Sequence, residues 1–245
     1  MEGYRPSTYG DRIADIYDSL YQQRLDPTET VAFLAELAGE GRALELGIGT
    51  GRVAIPLKEA GVEVLGIDAS EAMVARLRAK PGGADIPVTL ADFTDIEVEG
   101  QFRVVYVPFT TFFTLASQDE QVRCLQSVTK HLEPGGCFVL DVFVPDLTRF
   151  TMNQSTTTQE VGLDHVLIDA MRHDPVAQTI TGHHVVIDET GTRLYPLRVR
   201  YATPSELDLM ARLAGLVLQD RFGWYDRSPF TAQSTRHVSV YTKPG

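Results

Sequence analysis

The sequence predicts an α/β fold: a mostly parallel sheet with helices on both faces, in three layers, plus an antiparallel insertion. Three observations predict it. Short apolar runs alternate with helix-patterned ones from residue 28 to residue 145, the rhythm of a parallel sheet wound by right-handed crossovers. A glycine-rich stretch, LELGIGTGRV (44–53), stands between one such strand and the next helix. After residue 145, three strand-like runs follow one another without a helix between them, so they should pair antiparallel.

The elements follow in order. TETVAFLAELA (28–38) has helical apolar spacing behind Asp26-Pro27, a capping carboxylate and a proline pre-set for a helix start. RALELG (42–47) is a short apolar strand. GRVAIPLKEAG (51–61) reads as a helix closing on Gly61, with Pro56 in its first turns, where a missing N–H matters least. VEVLGID (62–68) is a strand ending in a carboxylate, and SEAMVARLRAK (70–80) is a helix capped by Ser70. PVTLAD (87–92), RVVYVPF (103–109) and GCFVLDVF (136–143) are further strands, with a helix over 118–131 ahead of EPGG. Asp-Pro and Thr-Gly breaks then separate HVLIDAMRHDP, AQTITGHHVVIDE and TRLYPLRVRYA. TPSELDLMARLAG (203–215) is an amphipathic helix begun by Thr203, with Glu206 three residues on, and stopped by Gly215. LVLQDRFGWY and HVSVYTKP close the chain as a hairpin.

The 245 residues are 43% hydrophobic and 22% charged, the balance of a globular protein with a sizeable core. A net charge of −11 disfavours nucleic acid as a partner, because gripping phosphates takes a basic surface. Cys124 and Cys137 lie in apolar periodic segments without metal-like or redox-like spacing, so they read as buried thiols and no metal site is expected. The N-terminal MEGYRPSTYGDR is polar and no apolar run reaches membrane-spanning length, so a cytoplasmic setting without membrane contact is expected.

The glycine stretch opens a helix, and the neighbouring strand ends in Asp68. Backbone N–H groups at such a helix start suit a nucleotide-like ligand. A carboxylate about 20 residues on suits a ribose hydroxyl pair. A tight turn with a capping aspartate and no ligand is the plainer alternative. Arg52 stands where the dinucleotide fingerprint G-x-G-x-x-G needs a small residue, and the Gly-Lys-Ser/Thr of a P-loop is missing.

ELGIGTG resembles the first motif, E/D-x-G-x-G-x-G, of the class I S-adenosylmethionine (SAM)-dependent methyltransferases. GIDASEAMVARLR, LADFTDI and HLEPGGCFVLDVF resemble the later motifs of that family, in the family's order. YATPSELDLMARLAGL and SPFTAQSTRHVSVYTK are similar to its last helix and final hairpin, though only 42–145 is specific. The resemblance implies a Rossmann-like sandwich with a seven-stranded sheet and SAM as cofactor. It also implies roles. Glu45, Gly47 and Gly49 would border the methionyl part, Asp68 would hold the ribose, and Ala69 and Met73 would flank the adenine. Asp92 and the backbone of Phe93 would meet the adenine amine, with Val107 and Pro108 lining the methionyl tail.

Other features stand apart from that cofactor. IADIYDSLYQQ (13–23) places Ile13, Tyr17 and Tyr21 on one helical face, either as core or, as in similar methyltransferases, as a helix over the pocket. VPFTTFFTL follows strand four where base-methylating families often carry D/N-P-P-Y/F, so that chemistry loses support; Phe109, Phe112 and Phe113 form an aromatic wall or fill the core. His131, at a helix end, complements the helix dipole. His165, His173, His183, His184 or His237 would serve as a general base if one is used. His183 and His184 are adjacent on a strand and point to opposite faces, so they cannot form one metal site by themselves. The catalytic candidates are Tyr21, Tyr17, His165 and His183.

The expected protein is one domain over 1–245: an N-terminal helical lid (1–40), a SAM-binding half (41–145), a β-rich substrate cap (160–201) and a closing helix and hairpin (203–245). It would transfer a methyl group by SN2 displacement to an oxygen or nitrogen of a small molecule, with natural products and amino sugars favoured, as a monomer or homodimer. A nicotinamide-dependent oxidoreductase and a SAM-binding protein without turnover are the rivals.

Overall fold

The structure is a computed structural model that describes residues 1–21 and 26–244. Two short helices open it, α1 (Thr8–Ile13) and α2 (Tyr17–Tyr21), where the sequence predicts one helix over 13–23. A turn at 14–16 divides them. Ile13 and Ala14 bury themselves against Met73, Leu167, Val186 and Tyr195, Tyr17 and Tyr21 pack on the same cluster, and the guanidinium of Arg52 lies over the rings of Tyr17 and Tyr21. Gln22 and Gln23, the end of that predicted helix, lie outside the described residues.

The alternating half then runs α3 (Thr28–Ala38), β1 (Ala43–Leu46), α4 (Ala54–Glu59), β2 (Val64–Asp68), α5 (Glu71–Arg78), β3 (Val88–Leu90), β4 (Phe102–Val107), α6 (Gln118–His131) and β5 (Leu132–Phe143). Its punctuation works as the residue types require. Asp26 accepts from the Thr28 N–H at 2.9 Å, Ser70 from the Met73 N–H at 3.2 Å and Ser117 from the Glu120 N–H at 3.2 Å, each satisfying a donor that a helix start leaves open. β5 is longer than the predicted 136–143. It begins at Leu132 and carries Pro134, Gly135 and Gly136 through a bulge, so that Phe102 faces Leu132 and Val104 already faces Cys137.

The insertion is a separate four-stranded antiparallel sheet: β6 (Gln154–Val161), β7 (His165–Asp174), β8 (Thr179–Asp188) and β9 (Gly191–Arg200), in that order. It begins ahead of residue 160 because β6, QSTTTQEV, is a polar edge strand without the apolar alternation that marks its neighbours. α7 (Pro204–Leu213) and the antiparallel pair β10 (Val217–Phe222) and β11 (Arg236–Thr242) complete the chain.

The main sheet has seven strands in the order β10-β11-β5-β4-β1-β2-β3. β11 alone runs against its neighbours. The order reverses between β1 and β4, and ligands of such sheets bind at the carboxyl ends beside that switch. Two cores flank the sheet, one around Leu44, Leu46, Phe112, Phe138 and Leu140, the other around Phe33, Leu57, Tyr106 and Val139. The N-terminal segment bridges the alternating half and the insertion through Ile13. Among the described residues no helix is long and apolar enough to cross a membrane.

Candidate active site

The site starts at the loop after β1. Gly47, Gly49 and Gly51 have φ of +73°, +55° and +76°, the left-handed region that side chains disfavour. A Cβ on Gly47 would stand 2.5 Å from Thr111 Cγ2 and one on Gly51 2.0 Å from Leu77 Cδ1, while one on Gly49 would meet nothing closer than 3.9 Å. The outer glycines thus let the loop pack on the protein itself, and the middle one leaves its backbone open. Asp68, at the end of β2, ties this loop down: its Oδ2 accepts from the Gly49 N–H at 2.7 Å and its Oδ1 from the Ser70 N–H at 2.8 Å. Burial raises the Asp68 pKa, and these two bonds oppose the rise.

The N-terminal segment is fastened over the loop by polar contacts. Ser70 Oγ donates to Asp11 at 2.6 Å and Thr50 Oγ1 to Asp18 at 2.7 Å, and Lys80 pairs with Asp18 at 2.7 Å. Tyr9 and Tyr21 share a hydrogen bond at 3.0 Å, and the rings of Tyr17 and Tyr21 lie 4.9 Å apart.

Beneath this segment is a cavity of about 550 Å³, within the usual range for a small-molecule site. It is continuous from the glycine loop to the inner face of the insertion sheet. Gly47, Gly49, Asp68, Ala69, Met73, Asp92 and Phe93 line it from the alternating half, Tyr9, Tyr17 and Tyr21 from the N-terminal segment, Phe109 from the turn after β4, and Asp169, Met171, Ile180 and His184 from the insertion sheet.

Two predicted cofactor residues and two predicted catalytic residues lie off this wall. Glu45 is sealed behind the loop, 2% exposed, accepting from Tyr106 Oη at 2.8 Å. Burial pushes its carboxyl up to about 8, against the pull of the Tyr106 hydroxyl and of Arg52. Val107 is core, because β4 stops there and the chain turns before reaching the cavity. His165 sits at the start of β7 with Asp164 at 2.9 Å and Glu160 at 3.2 Å. His183 points away from the cavity, since strand alternation gives the inner face to His184. Of the three phenylalanines after β4, Phe109 lines the cavity and Phe112 and Phe113 fill the core.

The comparisons with known proteins agree with this geometry. The family model for a methyltransferase domain matches residues 43–136. The chain is 31% identical over 238 residues to the cypemycin N-terminal methyltransferase of a Streptomyces species, covering 96% of this chain and 97% of that protein. The chain belongs to the SAM-dependent methyltransferases. Among solved structures, the CcbJ methyltransferase of Streptomyces caelestis is 42% identical, with a TM-score of 0.92, over 99% of this chain and 100% of that one. CalS10, an amino pentose methyltransferase from Micromonospora echinaspora, shares the fold at 20% identity and a TM-score of 0.71, over 93% of this chain and 96% of that one. This membership removes the oxidoreductase and the inactive SAM-binder from consideration.

The methyltransferase cavity fits SAM by its chemistry. Asp68 and Asp92 offer carboxylate oxygens at the nucleoside end, and Met73 and Phe93 offer apolar sides for a ring. Arg52 supplies the third element. Its guanidinium lies 4.2 Å from the Phe109 ring centre, and its Nε and Nη2 are buried without a partner among the described residues. Buried guanidinium donors need an acceptor, which an α-carboxylate in this cavity would provide. Sequence reasoning noted Arg52 only as a departure from another motif.

It also missed Asp141. Phe109 and Thr110 have φ of +55° and +69°, a conformation that costs of order 1–3 kcal/mol per residue and persists only where the surroundings impose it. The fully buried Asp141 imposes it, its Oδ2 accepting from the Phe109 N–H at 3.0 Å and its main-chain oxygen from the Thr110 N–H at 2.8 Å. Arg236 pairs with the same carboxylate at 3.0 Å.

Proposed function

We propose that this methyltransferase moves the methyl group of SAM to an amino nitrogen of a small, natural-product-like molecule. The observation that carries this reading is the single cavity shared by the nucleoside-side carboxylates and the inner face of the insertion sheet. SAM supplies a methyl group on a positive sulfur, open to in-line displacement.

The chain's residues do the rest. Asp68 takes the ribose hydroxyls, Asp92 and the Phe93 backbone take the adenine amine, and Ala69 and Met73 flank the ring. Arg52 takes the methionyl carboxylate with its unpartnered donors. The faces of Tyr17 and Tyr21 lie beside the methyl-transfer point, where aromatic faces attract a cation. Tyr9, Tyr17 and Tyr21 exclude water above it, and the insertion sheet holds the acceptor in line. Positioning of this kind supplies much of the acceleration of a displacement. Nitrogen is favoured over oxygen because the full-length relative is named for methylation at an N-terminus. The insertion sheet chooses the acceptor, since Asp169, Met171, Ile180 and His184 supply a part of the cavity wall that the glycine loop does not.

The experiment is a transfer assay with SAM and matched amines and phenols, read by mass spectrometry. Methylated amines are expected. Methylated phenols with untouched amines would overturn the nitrogen assignment.

A further inference from the structure

The inner face of the insertion sheet carries an apolar patch interrupted by one acid–base pair, while His173, further along the same face of β7, is taken up by the Tyr201 hydroxyl at 2.9 Å. Leu167 and Met171 on β7, Ile180 and Val186 on β8, and Val199 on β9 are buried aliphatic side chains. Between them Asp169 and His184 face each other across the β7–β8 ladder. His184 Nδ1 lies 2.5 Å from Asp169 Oδ1, with the side chains only 14% and 12% exposed. A buried polar pair costs desolvation that aliphatic neighbours would avoid, and the sheet's own pairing does not require it. Both residues line the cavity.

The pair has a direction. A carboxylate only accepts, so Nδ1 carries a proton towards Asp169 and the Nε2 lone pair is left over. Among the described residues Nε2 has no hydrogen-bond partner, and unlike Nε2 of His237 it is not sealed from solvent. The groups that face the imidazole are Asp169 from β7, Tyr195 from β9 and Tyr9 from α1, whose ring stands edge-on at 6.2 Å. Burial holds the Tyr9 phenol well above its ordinary pKa, so it stays neutral. Asp169 is therefore the charged partner of His184 among these groups.

We propose that His184, oriented by Asp169, accepts the proton that the acceptor nitrogen must lose, and that the acceptor enters the cavity as an ammonium ion. This rests on the amine reading above and deepens it. An ammonium nitrogen has no lone pair and cannot attack. It also brings a second positive charge beside the sulfonium, which the Asp169 carboxylate offsets. In the step, one N–H bond breaks, its electron pair stays on nitrogen and the proton goes to Nε2. The nitrogen pair then forms the bond to the methyl carbon while the carbon–sulfur bond breaks, its electrons remaining on sulfur. The products are the methylated ammonium, the neutral thioether and an imidazolium that returns its proton to water.

The test compares wild type, His184→Ala and Asp169→Asn in transfer from SAM to a panel of amines, with D-glucosamine, L-alanylglycine and benzylamine as probes. S-adenosylhomocysteine affinity and thermal midpoint are measured alongside. For whichever amine the wild type methylates, His184→Ala should lower kcat about a hundredfold near neutral pH, the low end of what general-base catalysis contributes. Cofactor affinity should stay within twofold. The deficit should shrink as pH rises past the amine's own pKa, because the solution then supplies the free base. Equal rates for wild type and His184→Ala overturn the proton-acceptor role while leaving the amine reading intact. Transfer by the wild type to none of the amines overturns the amine reading and the base together. Should His184→Ala fail to fold, ¹⁵N spectra of wild type bound to S-adenosylhomocysteine decide: Nδ1–H with a bare Nε2 supports the proposal, and Nε2–H refutes it.

Discussion

The carboxylate of Asp68 accepts a hydrogen bond from the main-chain N–H of Gly49 at 2.7 Å, across 19 residues of sequence. That bond joins the end of β2 to the loop after β1 and forms the floor on which a nucleoside would rest. The same carboxylate caps α5 through Ser70, so one side chain shapes the loop and faces the cavity.

Asp68→Ala should weaken S-adenosylhomocysteine binding roughly ten- to a hundredfold. A charge-assisted hydrogen bond to a ribose hydroxyl contributes about 1.5–3 kcal/mol. Calorimetry on the folded variant checks this, and adenosine alone should lose affinity to the same degree. Wild-type affinity in the variant would move the nucleoside elsewhere.

Arg52→Met keeps the apolar stem over Phe109 and removes the donors. It should cost S-adenosylhomocysteine about tenfold or more in affinity and leave adenosine, which has no carboxylate, unchanged. Equal losses for the two ligands would make Arg52 a packing residue.

Much of the cofactor end was legible in the sequence because its signals are local. Positive φ at Gly47 and Gly49, the Ser70 cap and Asp68 at a strand end all sit on elements whose type and order the residues declare. The wall supplied by the insertion sheet was not legible, because it depends on register. Alternation says that only one of His183 and His184 faces the cavity. Which one follows from how β8 pairs with β7 and which face of the sheet turns inward, and neither is encoded locally. The same holds for Asp141, which reaches the Phe109 N–H from β5 across 32 residues. β6 escaped notice for the opposite reason: an edge strand of threonines and glutamines shows no apolar period.

Glu45→Gln should flatten the fall of stability with rising pH. In the folded chain burial holds the Glu45 carboxyl at about 8, against 4.5 when unperturbed. The folded state therefore keeps a proton that the unfolded chain releases, and stability declines between those two values as pH rises. Glutamine still accepts from Tyr106 and carries no proton to lose. Thermal midpoints from pH 5 to pH 9 should converge for the two proteins at the acid end, on the order of the reference carboxylate pKa. They should separate towards alkaline pH in favour of the variant. Parallel curves would show that Glu45 is ionised in the fold.

Asp141→Ala removes the acceptor that holds Phe109 in its left-handed turn and leaves Arg236 unpaired. The expected cost is about 3 kcal/mol, the low end for breaking a buried pair, since Arg236 keeps some contact with water. The variant should unfold at lower urea with an unchanged slope, and its S-adenosylhomocysteine affinity should fall as the turn relaxes. An unchanged urea midpoint would show that the turn holds without this carboxylate.

The most direct test of the account is a crystal structure of the protein with S-adenosylhomocysteine. The account predicts the ribose hydroxyls within hydrogen-bond distance of Asp68, the adenine between Met73 and Phe93, and the carboxylate on Arg52. It also predicts the sulfur turned towards the wall that holds His184 and Asp169. A nucleoside bound away from Asp68, or a sulfur facing away from the insertion sheet, would contradict it.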